Sequence, residues 1–96
     1  MKITIVAVGK IKEKFFQDAI GEYSKRLSRY CRLEIVQTAD EKTPEGASAA
    51  LEEQIKDREG ERILSAIKED SFVIALSIDG KAPDSVELAK QIEKWQ

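Results

Sequence analysis

Two apolar runs, each closing on a Gly-Lys step, constrain the fold of this chain more than any other feature. Ile3 to Lys10 reads ITIVAVGK, and Phe72 to Lys81 reads FVIALSIDGK. Both are rich in β-branched residues and apolar at successive positions. Strands covered on both faces in parallel α/β sheets read this way. Open sheets of that kind bind ligands in the crevice beyond the carboxyl ends of their strands. The two Gly-Lys turns therefore mark where a ligand would sit.

The intervening sequence has the spacing of helices. From Ile11 to Tyr30 apolar residues recur at three- and four-residue steps, which predicts an amphipathic helix. Gly21 falls within it at a cost of up to ~1 kcal/mol relative to alanine, and close packing on the sheet is the expected compensation. Leu33 to Thr38 reads as a second strand nearer an edge, followed by a polar loop from Ala39 to Ala47. A second helix is expected from about Ser48 to Ile67, burying Leu51, Ile55, Ile63, Leu64 and Ile67. Its charged middle, Lys56 to Arg62, should meet solvent or another molecule. Phe72 to Ser77 reads as a third strand. Asp84 then stands three residues before Glu87, the spacing of a capping box that opens a third helix. On that helix Val86, Ala89 and Ile92 form an apolar row, with Leu88 and Trp95 beside it. The expectation is one α/β domain over 1–96, a parallel three-stranded sheet in β-α-β-α-β-α order.

Composition removes several kinds of chemistry. The chain has no histidine, the usual general base and commonest metal ligand, and no cysteine cluster in its place. A metal site is not expected. Cys31 is the single cysteine, so no internal disulfide can form, and a reducing cytoplasm is the expected setting. No stretch approaches the ~20 apolar residues of a membrane span. The net charge of −2 is unevenly distributed. Residues 1–32 hold eight Lys/Arg against three Asp/Glu, and residues 33–96 hold eight against fifteen. A basic end on an acidic body suggests a polyanionic partner near the first helix.

Few individual residues carry chemistry. Neither Gly9-Lys10 nor Gly80-Lys81 fits the Walker pattern, which needs an earlier glycine and a following Ser/Thr. The plainer reading is a strain-relieving glycine beside a solvated lysine. Asp79 and Asp84 bracket one turn, where a carboxylate could act as a base or hold a ribose hydroxyl, but capping is the ordinary role of Asp84. Asp40-Glu41 and Glu52-Glu53 read as solvent-facing. Lys25, Arg29 and Arg32 follow helical spacing opposite Tyr23, Leu27 and Tyr30. Such a row can contact phosphates in a salt-dependent way that carries no sequence information. Cys31 reads as a packing residue.

Five stretches in order, MKITIVAVGKIKEKF, AIGEYSKRLSRY, TADEKTPE, REGERIL and VIALSIDGK, make the chain similar to the amino-terminal part of the ribosomal large-subunit methyltransferase H family. That family belongs to the SPOUT class of RNA methyltransferases. The resemblance spans essentially the whole chain. It implies a homodimeric cytoplasmic enzyme that uses S-adenosylmethionine to methylate N3 of a pseudouridine in 23S rRNA on the assembled ribosome. It also implies a sheet whose carboxy-terminal part forms a trefoil knot, with the cofactor meeting Leu76 and its neighbours Ser77 and Ile78. It assigns no catalytic residue. The glycine-rich loop after the fourth strand, the knot and the basic, histidine-containing end have no counterpart here. The expectation is a truncated framework, not competent for catalysis by itself.

Two other readings remain open at this point. The chain could be a non-enzymatic module that binds a partner or dimerises through an uncovered sheet edge, or a small nucleotide-binding α/β protein of another class. A downstream reading frame encoding a glycine-rich turn would favour the methyltransferase.

Overall fold

A parallel ladder joins β1 (Lys2–Val8) to β2 (Arg32–Thr38), with Lys2 opposite Arg32 and Val8 opposite Thr38. The computed structural model describes all residues, 1–96. Gly9 N–H extends the ladder by one bond, donating to the Thr38 carbonyl at 2.8 Å. The chain then turns at Gly9, whose φ of +85° is left-handed backbone that a side chain would strain. The helices are α1 (Lys14–Leu27), α2 (Ala49–Ala66) and α3 (Ser85–Trp95).

Side chains alternate across the two strands, and each face receives one helix. Ile5, Leu33 and Ile35 face Ile20, Tyr23 and Leu27 of α1 across a hollow of about 340 Å³. α2 also packs on the sheet. Lys68, just beyond α2, meets Lys2 and Glu34, which project from the other face. The helix boundaries have local causes. Ser48 Oγ accepts from Leu51 N–H at 3.2 Å to start α2. Asp84 Oδ1 accepts from Glu87 N–H at 2.8 Å to start α3, the expected cap.

Several expectations need correction, among them the burial of Leu64, which is exposed. Phe72–Ser77 is not a third strand: the sheet has two strands, and residues 71–77 form no regular element. The chain enters this segment from Asp70, at a left-handed φ of 68°, and leaves it through a turn in which Gly80 N–H donates to the Ser77 carbonyl at 3.0 Å. A strand requires a partner ladder as well as apolar residues, and neither β1 nor β2 provides one here. Second, α1 ends at Leu27, so Tyr30 lies beyond it. The turn is closed by the Tyr30 and Cys31 N–H groups, which both donate to the Leu27 carbonyl. Third, Gly21 does not relieve a close approach, because a Cβ there would meet nothing within 4 Å.

The charged middle of α2 is not idle surface. Arg62 reaches back through Nη1 to the Ala39 carbonyl at 2.9 Å and through Nη2 to the Glu41 carboxylate. Glu59 accepts from the Glu41 N–H at 3.3 Å. Glu41, expected to face solvent, is half-buried as a result, and the loop after β2 is held against α2.

The chain is loosely assembled. Ile55 is its one buried residue. The accessible surface of 8776 Å² exceeds the about 5,500 Å² usual for a folded monomer of this mass. The radius of gyration is 15.9 Å, against about 12.5 Å for a compact domain of this length. Residues 71–91 are exposed throughout, and α3 stands apart from the sheet and the other helices. Two contacts tie α3 in: the Trp95 ring stacks on Phe72 with centroids 5.4 Å apart, and Gln96 Nε2 donates to Met1 Sδ.

Candidate functional site

The three residues expected to meet a cofactor lie together on the uncovered segment. Leu76 is 95% exposed and Ile78 fully so. Apart from the Ser77 carbonyl, the backbone groups of residues 76–78 form no backbone hydrogen bond. An adenosine-type ligand needs apolar contact for its ring faces and N–H or C=O partners for its ring edge. Leu76, Ser77 and Ile78 supply both kinds of group, in the form of one open wall.

The basic row divides into two sites. Lys25 and Arg29 stay together at the end of α1 and line an open hollow of about 600 Å³ with Glu22, Arg26, Ser28 and Tyr30. Arg26 is paired with Glu22 at 3.1 Å, and it lies 5.9 Å from the Tyr23 ring centroid. No ion pair engages Lys25 or Arg29, so the hollow keeps two free cations. Arg32 is not part of the helical row. The turn at residues 28–30 carries it onto the first position of β2, beside Lys2.

Arg32 belongs instead to a second cationic group at the amino ends of the strands. Lys2 Nζ lies 3.2 Å from Glu34 Oε2, with Lys68 close by. The Lys2 ammonium beside it lowers the Lys68 pKa below the ordinary lysine value, because two neighbouring ammonium groups resist both being charged. Arg32 acts weakly in the same direction, and Glu34 partly offsets them. This group could not be seen in the sequence, because its members are brought together only by the parallel register and the return of α2.

Tyr30 continues the apolar spacing of α1 in sequence, which assigned it to the packed face of that helix. It is instead 78% exposed and lines the basic hollow. No cluster of three or more His, Cys, Asp or Glu side chains is placed to hold a metal ion. No helix is long and apolar enough to cross a membrane.

The comparisons with known proteins agree with one another. A family described as "Predicted SPOUT methyltransferase" matches residues 1–96. A ribosomal RNA large subunit methyltransferase H from Bifidobacterium adolescentis is 63% identical over 92 residues, covering 96% of this chain and 58% of that protein. The protein of the same name from Clostridium beijerinckii is 57% identical over 93 residues, covering 97% of this chain and 58% of its own length. A putative counterpart from Methanococcus maripaludis is 58% identical over 92 residues, 96% of this chain and 58% of the relative. The chain thus spans 58% of the length of these relatives. With the family match running through every residue from Met1 to Gln96, the chain belongs to the SPOUT methyltransferase family.

Proposed function

We propose that this chain serves an S-adenosylmethionine-dependent methylation of N3 of a pseudouridine in 23S rRNA on the assembled ribosome, within a homodimeric cytoplasmic protein. The observation that carries this reading is the 52–63% identity to relatives named ribosomal RNA large subunit methyltransferase H. Bound S-adenosylmethionine would supply the methyl group from its sulfonium. Leu76, Ser77 and Ile78 would hold the cofactor by apolar contact and through their free backbone groups. Lys25, Arg29 and Arg32 would bind rRNA phosphates, Lys25 and Arg29 from one site and Arg32 from the strand ends. The chain has only one wall of the cofactor site, so the 96 residues alone bind S-adenosylmethionine weakly and do not catalyse transfer.

The test is methyl transfer from labelled S-adenosylmethionine to ribosomes lacking the modification. The chain alone should transfer none, and a longer version with the extent of the relatives should transfer one methyl group per ribosome. Transfer to a base other than a pseudouridine, or none by the longer version, would refute the proposal. Calorimetric titration of the 96-residue chain should give no micromolar dissociation constant, a level equivalent to about −8 kcal/mol.

A further inference from the structure

We infer that the hollow at the end of α1 is a single-stranded RNA site in which Tyr30 stacks on an unpaired base while Lys25 and Arg29 hold the flanking phosphates. The inference rests on the reading of Lys25 and Arg29 as RNA contacts and adds the form of RNA they meet.

Three observations support it. Tyr30 is large, aromatic and 78% exposed, and no side-chain hydrogen bond or aromatic partner engages it. Its ring is therefore available. Lys25 and Arg29 line the same hollow without ion pairs, whereas Glu22 is neutralised by Arg26. The hollow consequently attracts anions despite the acidic net charge of the chain.

Of the last four carbonyls of α1, which would otherwise repel phosphate, three already have partners. The Ser24 carbonyl accepts from Ser28 N–H at 3.1 Å, and the Lys25 carbonyl from Ser28 Oγ at 2.6 Å. The Leu27 carbonyl accepts from Tyr30 and Cys31 N–H at 2.9 and 3.0 Å. An aromatic platform flanked by free cations is the arrangement that binds unpaired nucleotides, because stacking tolerates any base and the cations follow the backbone. Bases within a duplex are stacked on one another and offer no free face, so the geometry selects loops and single strands.

The experiment uses the full chain and fluorescence anisotropy with a short labelled oligoribonucleotide, measured single-stranded and annealed to its complement across a salt series. Tyr30→Ala should weaken single-strand binding about tenfold, leave duplex binding unchanged and leave the salt slope unchanged. Tyr30→Phe, which keeps the ring, should bind as the parent does. The double variant Lys25→Ala/Arg29→Ala should reduce the slope of log affinity against log salt by about 1.4, the value for two phosphates on a single strand. If that slope falls while Tyr30→Ala has no effect, the stacking site is overturned and the phosphate contacts stand. If no RNA binds, or the double variant leaves the slope unchanged, the underlying RNA reading fails as well. Competition by an acidic polypeptide as strong as that by RNA would identify a protein-docking surface and overturn the inference.

Discussion

Lys2 Nζ lies 3.2 Å from Glu34 Oε2, and this one carboxylate stands among three cations, Lys2, Arg32 and Lys68. The Lys68 pKa is lowered, chiefly by the Lys2 ammonium beside it. A lysine whose pKa is lower folded than unfolded binds its proton more weakly in the folded chain. Protonation of Lys68 therefore opposes folding.

Stability should consequently rise with pH across the window between the lowered Lys68 value and its ordinary 10.5. NMR titration of the Lys68 side chain should show a midpoint below 10.5. Lys2→Gln should move that midpoint upward by removing the neighbouring charge, and Glu34→Gln should move it further down. A midpoint unaffected by Lys2→Gln would exclude the pairing.

Arg62 spans 21 residues to hold Glu41 and also binds the Ala39 carbonyl. Arg62→Ala should release the loop after β2, which would keep only the Glu41 N–H bond to Glu59 of α2. The pair is partly exposed, so the loss is modest, about 1 kcal/mol. Faster amide hydrogen exchange at Glu41, with exchange inside β1 unchanged, is the expected result. Arg62→Lys should restore little of it, because a lysine cannot reproduce the two-pronged geometry.

Gly9 makes a different kind of demand. At φ +85°, an alanine would be strained by its own backbone at a cost of about 1–2 kcal/mol. Its Cβ would meet Asp40 only at an ordinary 3.7 Å. Gly9→Ala should therefore lower the denaturation midpoint, and adding Asp40→Ala should not recover it. Recovery would show that crowding, not backbone conformation, is the constraint.

Leu76 and its neighbours expose enough apolar surface to associate, at roughly 25 cal/mol for each Å² removed from water. Light scattering should show a mass that rises with concentration, and Leu76→Asp should shift the chain toward monomer. A monodisperse monomer at all concentrations would mean that this segment is covered in solution.

Much of this architecture was legible in the sequence. Ile3–Val8, Leu33–Thr38 and the three helices carry periodic patterns set by local chemistry, and the Asp84 cap is a short-range motif. What failed depended on partners distant in the chain. Phe72–Ser77 has the composition of a strand, but composition states a preference for burial without naming the neighbouring ladder. Arg32 fits the helical count from Lys25, yet hydrogen bonds to the Leu27 carbonyl stop the helix earlier and start a strand. The same extrapolation assigned Tyr30 to the core. Glu41 looked like loop surface because nothing near it in sequence reveals Arg62.

The contact between Phe72 and Trp95 has an experimental consequence. Trp95 is the chain's single tryptophan, and its ring rests on the first residue of the uncovered segment. Its emission is thus a native optical reporter for that segment. Any ligand, RNA or second chain that draws Phe72 away should alter the colour and lifetime of Trp95 fluorescence, so capture of this wall can be followed without attaching a dye.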